Sequence, residues 1–364
     1  MKNKDIKVKP KKVKVRKKDK FKAIKKAIVP VYIAPQFLEK KYSIKQVSES
    51  GVFVLENHLS NKLYTVNCQD MKDKQAVFDI LRSYDFKYRF YYYETATHLL
   101  IQINTDENQD ASFDFDAIEK DMFKKLAGLD IVLTPVNLED RLRQIHQFII
   151  KDKPNSNNNI MDYVHNVAAW KPDFELDDFI LNFDSLEVAD KTYRAFYFIR
   201  FGDDVTEMLQ ELRKIENIEC IMIEQDGISD NYLYEFFSNN YMGCNNELRK
   251  LKKMDPALYE ILTDPAMRDT RSYSMVGINV LYSVSGSDEI DTVKEKIRFI
   301  IDRYDAAVYD YSGMMAVGFL EFAPFGVLNV SESRVVKNAE SCKCLLFNCC
   351  DVSEDKSELN KFFM

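Results

Sequence analysis

Sulfur ligands crowd together at one place in this chain, Cys342-x-Cys344 followed by Cys349-Cys350, and the chemistry they suggest is zinc binding. Structural zinc sites use two pairs spaced by two to four residues, with a longer interval between the pairs. Here the second pair is adjacent, and Cys344-Leu-Leu-Phe347 reads as a buried strand, so the spacing argues against a metal. Phosphate chemistry needs Gly-x-x-x-x-Gly-Lys-Ser/Thr, in which backbone amides and the lysine surround the phosphates. Gly313 and Gly318 have that separation but are followed by Phe319-Leu320, without lysine or hydroxyl. ATP binding through this pair is excluded. His58, His98, His146 and His165 are scattered with no metal-like pairing, and no Gly-x-Ser-x-Gly elbow offers a nucleophile. Cys244 is the candidate thiol, but no neighbour in sequence would lower its pKa, so a half-buried helix residue is the better reading. Asp114, Asp116, Asp121, Glu175, Asp177 and Asp178 supply acid–base candidates, yet in a chain with 58 acids such neighbours arise by chance. No catalytic, cofactor-binding or metal-ligating set is selected.

Aromatic residues invite a different function. Phe90-Tyr-Tyr-Tyr93 and Phe196-Tyr-Phe198 could stack nucleobases on a sheet. They lack the glycine-rich, basic surroundings of RNA-reading strands, so packing in a core or interface is favoured. Charge points elsewhere. Residues 1–26 hold 14 Lys/Arg against Asp5 and Asp19, and the total of −7 then leaves −19 on the other 338 residues. Such a basic arm on an acidic body reads as a solvated, disordered tail. Its functional form would be contact of Lys11, Lys12, Lys14, Arg16, Lys17 and Lys18 with an anionic surface. Phe21 is the single aromatic in the arm, which ranks a membrane surface above nucleic acid. No run of about 18 apolar residues reads as a membrane span, and no export signal is seen. Seven cysteines, an odd number, then suggest reduced thiols in a cytosol.

The elements that must position these residues follow from periodicity. Gly51–Leu55 and Lys62–Val66 read as strands joined by a turn at His58–Asn61. Val77, Ile80, Leu81 and Tyr84 form a helical stripe, Arg89–Tyr93 and Leu99–Asn104 a second strand pair, and Phe115–Leu126 another helix ending near Gly128. Asn137 caps a helix whose stripe is Leu138, Leu142, Ile145 and Ile149, with His146 beside it. The polar run Lys151–Asn159 marks a linker. Beyond it come a strand at Tyr193–Phe201, a helix from Asp203 or Asp204, and a strand at Glu219–Glu224. A helical stretch follows over about 230–268, then a strand at Val276–Val284, a helix after Ser287 and a short strand at Ala306–Tyr309. The fold class is α+β, antiparallel sheets with packed helices. The C-terminal half is expected to be ferredoxin-like, two β-α-β units flanking a helical insertion. The domains expected are a basic arm 1–26, an α+β subdomain 27–150, a linker 151–169, a second subdomain 170–330 and a C-terminal strand and tail 331–364.

Several segments occur in the order of a known family. A Lys-rich start leads into Gly51-Val-Phe and a Tyr64-Thr-Val strand, and Leu138-Glu-Asp-Arg-Leu-Arg-Gln-Ile-His146 precedes the linker. Trp170-Lys-Pro-Asp-Phe, Tyr193-Arg194 opening a strand, Pro324-Phe325-Gly326 and Arg334 follow. From about Ala27 to Asn348 this resembles the N-terminal, non-motor region of the conjugative type IV secretion ATPases, the TraC/TraE-like group of Gram-positive type. The family's P-loop motor has no counterpart here, so its ATP, magnesium and catalytic residues are not carried over. The chain reads either as a fragment or as a motorless relative. The resemblance implies a docking and assembly module for DNA transfer at the cytoplasmic face of the membrane. Its partners would be other secretion components, a second copy of itself or an anionic membrane surface. A nucleic-acid-binding accessory protein of a mobile element, acting through the basic arm, is the alternative.

Overall fold

Alternating side chains build this molecule's central strands. Tyr88, Phe90 and Tyr92 enter one hydrophobic cluster while Tyr91, between them, enters another on the opposite face. The computed structural model describes residues 44–55, 59–68, 73–84, 86–105, 111–150, 179–188, 190–227, 272–285, 289–324 and 334–346, with residues 252, 253, 256 and 259 also described, as helical.

Within the first half, a short hairpin of β1 (Ile44–Val47) and β2 (Phe53–Leu55) leads into β3 (Leu59–Cys68). Then come α1 (Lys74–Arg82), β4 (Lys87–Tyr93), β5 (Thr97–Asn104), α2 (Ala111–Ala127), β6 (Ile131–Pro135) and α3 (Leu138–Ile150). The second half repeats this order. Its hairpin is β7 (Phe179–Leu181) and β8 (Leu186–Val188), followed by β9 (Lys191–Arg200), α4 (Val205–Arg213), β10 (Ile218–Gly227) and β11 (Tyr273–Val284). It ends with α5 (Ile290–Arg303), β12 (Ala307–Asp310) and α6 (Met315–Glu321). A terminal segment adds β13 (Arg334–Lys337), α7 (Asn338–Ser341) and a 3-10 turn at Cys342–Cys344.

Among the described residues all thirteen strands belong to one antiparallel sheet, whose order β1-β2-β3-β5-β4-β10-β11-β9-β8-β7 is palindromic. Strand β6 lies on β3 and β12 on β9, at equivalent places. The two halves meet where β4 pairs with β10, Arg89 opposite Glu224 and Tyr88 opposite Gln225. The correspondence extends to detail. Strands β3 and β9 each have ten residues, and helices α1 and α4 each have nine. Val77, Phe78 and Leu81 on α1 match Met208, Leu209 and Leu212 on α4 in spacing and burial. Among the described residues, Asp130 before β6 and Asp305 before β12 are the two non-glycine residues with positive φ, 59° and 47°. Aspartate tolerates that left-handed turn better than most side chains. Among the described residues the fold is therefore an internal duplication.

Helices α1, α2, α4 and α5 pack on one face of the sheet with the larger cluster, and α3 and α6 on the other. The expected α+β class with antiparallel strands and packed helices is the observed one. The segments expected as separate subdomains are joined through a continuous ladder. Several boundaries differ. Leu59, Ser60 and Asn61 belong to β3, where Ser60 and Asn61 pair with β2 and Leu59 with β5, because Ser60 and Asn61 are buried and their backbone groups need ladder partners. Cys344-Leu-Leu does not start a strand. Cys344 closes a 3-10 turn, and Cys344, Leu345 and Leu346 are buried by packing against helices. The cap at Asn137 is made, its Oδ1 accepting from the Asp140 amide at 2.8 Å. The arm 1–26, the linker 151–169, the tail beyond 346 and nearly all of the helical stretch 230–268 lie outside the described residues.

Candidate functional site

A cluster of buried charged groups sits where the two halves meet. Arg89 on β4 is 1% exposed, and its strand neighbours alternate so that it shares a face with Tyr91. It donates from Nε and Nη2 to Oε2 of Glu224 on β10, at 3.0 and 2.5 Å. Nη1 donates to the Glu321 carboxylate at the end of α6 at 3.2 Å, to the Glu321 carbonyl at 3.1 Å and to the Tyr91 hydroxyl at 3.3 Å. One guanidinium thus holds two carboxylates from the other half. Burial works against its charge, but Tyr91, Glu224 and Glu321 outweigh that and hold its pKa well above the usual arginine value. Beside this cluster the Tyr93 hydroxyl donates to the Phe322 carbonyl at 2.6 Å.

A second buried arginine, Arg141 on α3, lies with its guanidinium 3.7 Å from the Phe53 ring centre. It donates to the carbonyls of Gly51 at 2.7 Å and Pro324 at 3.1 and 3.2 Å, and to the Asn61 side chain at 2.5 Å. Gly51 has φ +81°, and a Cβ there would stand 2.1 Å from the Val136 carbonyl oxygen, so only glycine fits. Burial pushes the Arg141 pKa down to about 9. Neither arginine stands out in the sequence as an organising residue. The available signal was a charge inside an apolar run, Tyr88-Arg-Phe90 and Ile223-Glu-Gln225. A buried charge is rare without a partner.

The residues singled out from the sequence are dispersed. Tyr193 is buried in β9 against Phe319, ring centres 5.1 Å apart. Arg194 points away from it to Asp184 at 3.1 Å and Asp291 at 3.2 Å. Pro324 contributes its carbonyl to Arg141, whereas Phe325 and Gly326 lie outside the described residues. Arg334 opens β13, opposite Val276. Phe90, Tyr91, Tyr92, Phe196, Tyr197 and Phe198 are buried, so they are core residues and present no stacking surface. Asp114, Asp116 and Asp121 all lie on α2. Asp121 accepts from Tyr84 at 2.7 Å and pairs with Lys125 at 2.5 Å, which lowers its pKa. Gly313 makes a turn with φ +80°, and Gly318 sits in α6 where a Cβ would be 2.7 Å from the Tyr311 ring. Those two glycines serve packing at the start of α6. Cys342 and Cys344 are buried free thiols, and burial raises both pKa values. Residues Lys11, Lys12, Lys14, Arg16, Lys17, Lys18, His58, His165, Glu175, Asp177, Asp178, Cys244, Cys349 and Cys350 lie outside the described residues, as does the His146 side chain. Among the described residues no group of three or more His, Cys, Asp or Glu could hold a metal ion, and no helix is long and apolar enough to cross a membrane.

His98 on β5 is buried beside the Tyr93 ring, and burial lowers its pKa from 6.5 to about 4. The unfolded chain therefore binds a proton near pH 6.5 that the folded chain refuses until about pH 4. Stability contributed by neutral His98 is present above pH 6.5 and is lost as pH falls towards 4, up to about 3 kcal/mol. Urea titrations of wild type and His98→Gln across this range should show a shallower pH slope for the variant.

Comparison with protein-family models gives no match, and a search of curated proteins gives none either.

Proposed function

We propose that this chain is a non-catalytic docking and assembly module of a conjugative type IV secretion ATPase, held at the cytoplasmic face of the membrane. The observation that carries the reading is the use of its buried charges. Arg89, Glu224 and Glu321 bind the halves of a scaffold to each other. The order of sequence segments that resembles the non-motor region of these ATPases supplies the functional context. Other secretion components, and a second copy of the chain, are the proposed partners. ATP and magnesium belong to a motor domain and are not assigned to any residue here. Each half is read as a ferredoxin-like unit, supported by the orders β4-β5-β3-β6 and β10-β11-β9-β12, with the 230–268 segment inserted in the second central hairpin. The basic arm is proposed to reach anionic lipid, where each nearby lysine or arginine adds about 1 kcal/mol.

Deleting the gene from a donor cell that carries the conjugative element should abolish DNA transfer, and a copy in trans should restore it. Unchanged transfer would overturn the reading, as would robust ATP hydrolysis by the purified chain. Flotation with anionic vesicles should fall when residues 1–26 are removed. The charge of +12 on those residues also favours one other reading, a nucleic-acid-binding accessory protein. That reading requires binding that weakens steeply with salt, because each neutralised phosphate releases a counterion.

A further inference from the structure

The terminal segment 334–346 has no counterpart in the duplication, and it lies across the helical face at the join. Strand β13 pairs with Tyr273–Val276 of β11, just ahead of the stretch that β9 occupies. The following turn touches α1 of the first half and α4 of the second. Its backbone is gripped from both halves. Gln225 Nε2 donates to the Ser341 carbonyl at 2.8 Å, Thr206 Oγ1 to the Lys343 carbonyl at 2.5 Å, and the Leu346 amide to the Tyr92 hydroxyl at 3.0 Å. Lys343 pairs with Asp203 at 3.1 Å, and Cys344 and Leu345 are fully buried.

One residue beneath this segment does not belong in an apolar groove. Lys74 is the first residue of α1, the position taken on α4 by buried Val205. Its Nζ is buried with no hydrogen-bond partner, and its electrostatic neighbours are Cys344, Glu207 and Cys342. Lys74 is half-buried overall, and a desolvated ammonium without a hydrogen-bond partner opposes closure of whatever covers it.

We propose that residues 334–346 form a latch that closes over the join between the two halves, with Lys74 keeping it poised to open independently of the rest of the fold. The lowered pKa of Lys74 agrees with that opposition, since burial disfavours its charge. The latch is a separate opening unit of the kind that local unfolding reveals. Opening frees the groove between α1 and α4 and exposes Cys344, whereas Cys220 on β10 stays under the opposite face of the sheet.

Thiol labelling of the full chain with a maleimide, read at each cysteine by peptide mass, tests this. In the wild type Cys344 should label faster than Cys220. Lys74→Met should slow Cys344 labelling by about tenfold, by removing the unpartnered charge. Leu345→Ala should speed it by about 30-fold, by removing a buried side chain from the latch. Neither substitution should change the Cys220 rate. Equal rates at Cys344 and Cys220 in the wild type would overturn the proposal, and so would a Cys344 rate indifferent to Lys74→Met. Lys74→Met is expected to strengthen the fold, so the test does not depend on a destabilised variant.

Discussion

Arg89→Met is expected to lower the unfolding free energy by about 3–5 kcal/mol, the cost of leaving a buried ion pair without one partner. Glu224 and Glu321 are 3% and 4% exposed and would face each other without the guanidinium. Solvent cannot reach them to compensate. That loss is a large fraction of the native state's whole stability of about 5–15 kcal/mol. Replacing all three residues by apolar ones of similar volume should recover most of the loss, because the desolvation penalty leaves together with the charges. Equilibrium urea unfolding of the single and triple variants separates these outcomes. A single variant as stable as wild type would show that Arg89 does not hold the halves together.

Alkaline pH should unfold the protein abruptly. Burial raises the pKa of Tyr64, Tyr88, Tyr91, Tyr193, Tyr282 and Tyr311 above the usual 10. The unfolded chain loses these protons near pH 10 while the folded chain keeps them. Stability is therefore fully present below pH 10 and is lost as pH rises through the folded values. Each fully buried tyrosine removes about 1.4 kcal/mol per pH unit. Six together approach about 8 kcal/mol per unit, comparable with total stability. Arg141 acts in the opposite direction, because its pKa is pushed down to about 9 and the folded chain releases that proton first. Its single contribution offsets about one tyrosine. Tyrosinate absorbance and circular dichroism should change together in one steep transition above pH 10, and Tyr64→Phe should move that transition to higher pH. Gradual ionisation ahead of any structural change would show that these hydroxyls are not sealed.

Much of the architecture is legible from local patterns. The stripes Val77-Ile80-Leu81 and Val205-Met208-Leu209-Leu212 mark α1 and α4 because a helix with one buried face repeats its apolar residues every three or four positions. Asn137 announces α3 because its side chain can satisfy an amide that the helix leaves unpaired. The expected pairing of β2 with β3 is present, but β3 starts at Leu59 inside the stretch read as the turn, because Ser60 and Asn61 look like turn residues. Arg141 from α3 and the hydroxyl of Thr105 give those side chains partners inside the core.

The duplication itself is invisible in the residues. Strands β3, Leu-Ser-Asn-Lys-Leu-Tyr-Thr-Val-Asn-Cys, and β9, Lys-Thr-Tyr-Arg-Ala-Phe-Tyr-Phe-Ile-Arg, share no residue at matched positions, yet they occupy equivalent places. Equivalent buried places accept different side chains, even polar ones when partnered, as Ser60, Asn61 and Lys62 are on β3. The sequence by itself therefore determined helices, strands and the α+β class, since these follow from periodicities within a dozen residues. The join of β4 to β10, the Arg89–Glu224 pair 135 residues apart, and the latch over Lys74 were decided by tertiary structure. Those contacts depend on which distant strand edge and which helix face meet, and no local periodicity encodes that choice.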